Sequence, residues 1–164
     1  MQLLISDANI LIDMEEGQLL ERMFRLPFEF RVPDLLFFDE LEEQHAHWLD
    51  YGLLLGTLSG ESVRRVSQLT RKYPKPSRND CMALVLAQQE KCPLLTGDRD
   101  LRQAAELEGI MVQGSVWLVE QLVTHRIITL DAARQSYQHM ERNGRRLPWK
   151  LAYQRLDALQ DELT

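Results

Sequence analysis

Short apolar runs alternate with longer segments whose apolar residues recur every three or four positions. Leu3-Leu4-Ile5 is a fully apolar strand candidate that ends at Ser6 and Asp7. Helices are expected from about residue 9 and, after a break at Gly17, over 18–25. Phe28-Glu29-Phe30-Arg31-Val32 alternates with period two, as a strand with one buried face does. Pro33 suits a first helical turn, and helix is expected from there through His47. Residues 52–57 read as a short strand or a turn. Ser59 or Ser62 opens a helix that Pro74 and Pro76 stop near Tyr73. Ser77 caps the strongest helix, 78–91. Its centre, Met82-Ala83-Leu84-Val85-Leu86-Ala87, is apolar nearly all round, so it must be buried against a sheet. A strand at 93–96, a helix at 100–108 ended by Gly109, a strand at 110–112 and a Ser115-capped helix to about His125 complete the series.

Strands that alternate with helices argue for an α/β fold with a central parallel sheet between helical layers. Past residue 125 the pattern changes. Residues 129–143, ended by Gly144, and 148–163 read as two successive helices with no strand between them. The expected organisation is an α/β domain over 1–125 with a C-terminal two-helix appendage, 126–164, packed on the core.

Four acidic residues stand where these elements would aim them at one spot. Asp7 closes the first apolar run and Asp98 closes Leu94-Leu95-Thr96, so both would emerge at carboxyl ends of parallel strands, where such folds build their sites. Asp7 equally suits a helix cap. Asp80 opens the buried helix, though Ser77-Arg78-Asn79-Asp80 also has the form of a capping box. Glu40 lies beside the apolar face of Leu36, Phe37 and Leu41, within an acidic stretch that solvation alone could explain. Gly97 permits a tight turn that sends Asp98 inward while Asp100 caps the next helix. Asn9 could hydrogen bond a neighbouring carboxylate, and the Thr96 hydroxyl could bind a water; Asp13 reads as a surface residue. Converging carboxylates repel one another and are tolerated mainly around a divalent cation.

Composition changes this picture little. The 164-residue chain is 45% hydrophobic and 27% charged, ordinary values for one soluble domain. The N-terminus lacks a basic region and no apolar run approaches the ~20 residues of a membrane span, so a cytoplasmic protein without a targeting segment is expected. Cys81 and Cys92 read as reduced, buried thiols. Net charge of −6 argues at first against a nucleic-acid partner. Yet Arg64, Arg65, Arg71, Lys72, Lys75 and Arg78 form a run with no acidic residue between them, and Arg142, Arg145, Arg146 and Lys150 form a second group. The run from Arg64 to Arg78 supplies candidate RNA-backbone contacts, or else both groups are solvated helix faces.

Asp7-Ala8-Asn9 after a first strand, Glu40-Leu41 after Val32-Pro33, Asp80 opening an apolar helix, and Thr96-Gly97-Asp98 after a later strand together resemble the PIN domain. Its best-known members are the VapC-type toxin nucleases of bacterial toxin–antitoxin systems. The resemblance covers about residues 1–123. It implies a three-layer α/β fold and Mg²⁺- or Mn²⁺-dependent hydrolysis of RNA phosphodiester bonds. Carried over residue by residue, Asp7, Glu40, Asp80 and Asp98 are the catalytic, metal-holding residues, with Asn9 and Thr96 in support. An RNA substrate, an antitoxin partner and homodimerisation go with that reading. The two-helix tail is longer than a minimal toxin's, which departs from the usual dimer and antitoxin contacts. A non-catalytic PIN-scaffold module that binds RNA or a protein is the alternative.

Other chemistry is thin. Glu43, His45 and His47 have metal-ligand spacing but lack cysteine partners, and read as a solvated helix end. A phosphatase of the haloacid dehalogenase type would need Asp where Asn9 stands. Trp117, Trp149 and Phe37-Phe38 are expected in the core.

Overall fold

The structure, a computed structural model, describes residues 1–163. Five parallel strands, β1 (Gln2–Ser6), β2 (Phe28–Pro33), β3 (Leu54–Gly56), β4 (Leu94–Leu95) and β5 (Val112–Gln113), form one sheet in the order β3-β2-β1-β4-β5. Leu4 and Ile5 of β1 are buried, as a central strand covered on both faces requires. In β2 the period-two pattern puts Phe30 and Val32 in the core, while Arg31 pairs with Glu29 and Glu90. The chain leaves β1 toward β2 and β3, then crosses back to β4 and β5. The strand order therefore reverses between β1 and β4, and the carboxyl ends of these two strands are where sheets of this kind carry a site crevice.

The helices follow as α1 (Ala8–Glu16), α2 (Leu20–Met23), α3 (Asp34–Leu36), a π turn (Phe37–Leu41), α4 (Glu42–His45), α5 (Trp48–Tyr51), α6 (Gly60–Lys72), α7 (Arg78–Glu90), α8 (Arg99–Leu107), α9 (Ser115–Thr124), α10 (Leu130–Arg142) and α11 (Trp149–Leu163). Every residue from Cys81 to Ala87 is buried, which accounts for the all-round apolar centre of α7. Ala133, Tyr137 and Met140 turn α10 inward against α1 and α9. Gly17 makes room for this, since a Cβ there would meet Met140 Cε at 2.5 Å. Ala152 and Leu156 seat α11, and the Tyr137, Trp149 and Tyr153 rings pack edge to face or tilted beside them.

Several elements differ from expectation. Helix 18–25 shrinks to α2 because Gln18 reverses the chain at φ 60°. Pro33 ends β2 instead of opening a helix. The helix through His47 breaks into pieces around the π turn, which keeps Phe37 and Leu41 buried but leaves Phe38 54% exposed. Trp117 and Trp149 are only half-buried. Gly114, not Ser115, is the N-cap of α9, because the Ser115 hydroxyl is given to Asp13 at 2.7 Å. Cys81 and Cys92 are free thiols pushed up to about 11 by burial. Among the described residues no helix is long and apolar enough to cross a membrane.

Candidate active site

β1 delivers Asp7 to the reversal point. Its N–H donates to the Leu95 carbonyl at 3.0 Å, so the contact with β4 continues past the strand itself. The side chain is buried and both its oxygens are engaged. Oδ1 accepts from the Ile10 N–H at 3.0 Å, which caps α1, and Oδ2 accepts from the Thr96 hydroxyl at 2.5 Å. Burial pushes this carboxyl up to about 7, against the pull of those two hydrogen bonds, and the charges of Asp80 and Asp13 push the same way.

Thr96 also accepts from the Asp98 N–H at 3.0 Å, so a single hydroxyl ties the end of β4 to the end of β1. Asp98 caps α8, its Oδ1 accepting from the Leu101 N–H at 2.8 Å. The expected division, with Asp98 inward and Asp100 capping, is corrected in its second half: Asp98 is itself the cap, because α8 starts one residue after it. Asp80 completes the capping box. Its Oδ2 accepts from the Ser77 N–H, and the Ser77 hydroxyl accepts from the Asp80 N–H, both at 3.0 Å. Burial raises the Asp80 carboxyl, and repulsion from Asp98 adds to it. Capping is thus the role the fold gives all three residues. Three helices begin around one crevice, each N-terminus held by a carboxylate, and the positive end of each helix dipole offsets part of the repulsion.

Glu40 stands apart. It lies exposed in the π turn, where its Oε1 accepts from Asn79 Nδ2 at 2.5 Å while Asp39 Oδ2 accepts from the same nitrogen at 2.9 Å. The structure thus brings Asp80 within electrostatic reach of both Asp7 and Asp98, and ties Glu40 to the neighbour of Asp80. Among the described residues no three His, Cys, Asp or Glu side chains gather closely enough to grip an ion as they stand, and that includes Glu43, His45 and His47. Nor does any of the four carboxylates form an ion pair with an arginine, lysine or histidine among the described residues.

Asn9 is exposed and hydrogen bonds Arg145 rather than a carboxylate. Asp13, expected at the surface, is 6% exposed and accepts from Arg145 Nε and the Ser115 hydroxyl, each at 2.7 Å. Of the basic run, Arg65 and Lys72 pair with Glu108, just past the end of α8, while Asp98 caps the opposite end roughly 15 Å away by helix rise. Arg64, Arg71, Lys75 and Arg78 are exposed. The local sequence does not single out Asn79, and it makes Asp13 a surface residue. Asn79 was marked only by its place beside Asp80, and Asp13 carried no local signal.

A parallel sheet of this order, with carboxylates free of ion pairs near the point where it reverses, defines an α/β domain. A model of a PIN-domain family, DUF3368, matches residues 3–161, and the chain belongs to the PIN-domain family. PIN domains are generally nucleases. No curated protein matches the chain. Among solved structures, a PilT N-terminus domain protein from the hyperthermophilic archaeon Sulfolobus solfataricus P2 is similar. It is 15% identical, with 76% of this chain and 92% of that chain covered and a TM-score of 0.46.

Proposed function

We propose that the protein is a metal-dependent ribonuclease that hydrolyses RNA phosphodiester bonds, acting as the toxin of a toxin–antitoxin pair. The observation that carries this reading is that the Thr96 hydroxyl links Asp7 to the Asp98 turn and Asp80 lies within electrostatic reach of both, none of the three having a basic partner. The donor set fits Mg²⁺ or Mn²⁺: carboxylates with a hydroxyl nearby, hard oxygens without sulfur or imidazole. Asp7 and Asp98 would hold the ion, and Glu40 and Asp80 would complete a second position or orient water. When bound, a divalent ion supplies an acidified water and positive charge opposite the phosphate. Thr96 fixes Asp7 and the Asp98 turn in register. Arg64, Arg71, Lys75 and Arg78, together with Arg65 and Lys72 where they release Glu108, would hold RNA backbone phosphates. An antitoxin would cover the crevice, with exposed Leu35 and Phe38 near Glu40 offering apolar surface for it, and the protein would form a homodimer.

One observation favours the second reading, a non-catalytic PIN-scaffold module: each oxygen of Asp7 already accepts a hydrogen bond from the protein. Incubation of labelled RNA with purified protein in Mn²⁺, Mg²⁺ or EDTA separates the two. Cleavage that needs the ion and vanishes in Asp7→Asn is expected; RNA left intact by wild type in every divalent ion would leave only the binding module.

A further inference from the structure

A cleft of about 570 Å³ opens between α8, the start of α9 and the connection from α10 to α11. Gly97 and Asp13 belong to its wall, so it adjoins the turn that carries Asp98. Although the chain has a net charge of −6, Arg99, Arg102, Arg146 and Arg155 surround this space.

Two of these charges, those of Arg99 and Arg146, are not cancelled locally. Both acidic residues of the wall are already matched. Asp13 accepts from Arg145, and Glu120 takes a forked pair of hydrogen bonds from Arg155 at 2.7 and 2.9 Å. Arg102 has only a loose contact with Glu106 at 3.7 Å. Arg99 and Arg146 are exposed and form no ion pair among the described residues. Arg99 directly follows Asp98, yet it pairs with none of the crevice carboxylates. Unpaired cations beside unpaired anions suit a polyanion whose one phosphate faces the carboxylates while its neighbours face guanidinium groups.

Two further features fit a strand lying here. Gly97 has no positive φ, and a Cβ added to it would meet nothing within 4 Å, so neither backbone nor packing demands glycine. Its bare backbone leaves room for close approach of a ligand. The rest of the wall includes apolar Val116, Trp117 and Leu151, against which a base or sugar could rest.

We infer that this cleft seats the backbone phosphates of the RNA strand beside the scissile bond, with Arg99 and Arg146 as its main contacts. The C-terminal extension is then part of the substrate site. The inference rests on the ribonuclease reading and adds to it a subsite outside the basic run at 64–78.

The test measures binding separately from cleavage. Full-length protein is titrated in EDTA into a short fluorescein-labelled oligouridylate, and anisotropy is followed over a range of salt concentrations. The Arg99→Gln/Arg146→Gln variant should bind about tenfold more weakly, and the slope of log affinity against log salt should shrink by roughly 1.4, about 0.7 per lost phosphate contact on a single strand. Arg25→Gln, an exposed charge elsewhere, should behave as wild type, and Arg99→Lys/Arg146→Lys should recover much of the loss. Inorganic phosphate at matching concentration should not displace the strand, whereas unlabelled oligouridylate should. A double variant that keeps wild-type affinity and slope overturns the subsite, as does displacement by polyglutamate equal to that by RNA. If that happens while wild type still cleaves in Mn²⁺, the subsite alone falls. Arginine-dependent binding without cleavage in any divalent ion sinks the ribonuclease reading and leaves the cleft as an RNA seat.

Discussion

Arg145 donates to Asp13 across 2.7 Å, although 132 positions of chain separate them. The contact fastens the connection between α10 and α11 to α1, the helix that Asp7 caps. Asp13 also holds Ser115 at the head of α9, so one buried carboxylate joins three parts of the molecule. Removing the guanidinium leaves that charge short of its cationic partner, which for fully buried pairs costs about 3–5 kcal/mol. Arg145 keeps a quarter of its side chain exposed, so the expected loss for Arg145→Met is smaller, about 1–3 kcal/mol. Urea denaturation of Arg145→Met, Asp13→Asn and the double variant gives the coupling. Strictly additive losses would show that the two residues do not support each other.

Asp7 gives the metal-free protein a distinctive pH dependence. Its carboxyl lies at about 7 when folded, against an ordinary value of 3.8. Between those values the folded state keeps a proton that the unfolded chain has lost, so stability falls as pH rises from about 4 to about 7. The whole shift corresponds to at most roughly 4 kcal/mol. Asp80, raised by the same cause, acts in the same direction, whereas His45, lowered by burial, acts in the opposite one. Comparison with Asp7→Asn isolates the Asp7 contribution. The variant should overtake wild type in thermal stability as pH rises through this window, while any cleavage activity is lost. Parallel melting curves for the two proteins across it would rule out a buried, strained Asp7.

How far the sequence discloses this site depends on whether its signals are local. Asp7 and Asp98 are legible because each ends a short apolar run, and Asp80 because Ser77 stands three residues before it. The family motifs rest on those same neighbourhoods. What stayed hidden involves partners far along the chain. Asp13 reads as a helix-end surface residue until Ser115 and Arg145 arrive from 102 and 132 positions away. The π turn around Glu40 is equally silent, because its extra residue per turn changes which side chains face outward without altering the apolar positions Phe37 and Leu41. The tail is visible as two helices, but its approach to α8 and α9 is not.

Gly56 ends β3 beneath α7 and has no positive φ, so its constraint is steric. A Cβ there would meet Leu86 Cδ2 at 2.8 Å and Cδ1 at 3.3 Å, and Leu86 is itself wholly buried. Gly56→Ala should therefore cost about 1–3 kcal/mol through overpacking. Adding Leu86→Val should return part of that loss even though Leu86→Val alone destabilises. Denaturation midpoints for the single and double variants decide it, and a Gly56→Ala protein as stable as wild type would mean that β3 and α7 can part freely.

Asn79 carries the remaining link between Glu40 and the other carboxylates. Its amide nitrogen donates to Glu40 at 2.5 Å and Asp39 at 2.9 Å, and the next residue is Asp80. Asn79 sits in the first turn of α7, outside the capping box, so Asn79→Ala should alter stability by less than about 1 kcal/mol. Without the amide, Glu40 and Asp39 lose their shared donor and Glu40 no longer has a fixed place at the crevice. On the ribonuclease reading, Asn79→Ala should lower kcat at least about tenfold with little change in RNA affinity, because positioning rather than binding is removed. Asn79→Asp, which sets a third carboxylate against Asp39 and Glu40, should be worse still. Single-turnover cleavage alongside anisotropy separates rate from affinity. If Asn79→Ala cleaves at the wild-type rate, Glu40 plays no part in the chemistry and the working site is the trio of Asp7, Asp80 and Asp98.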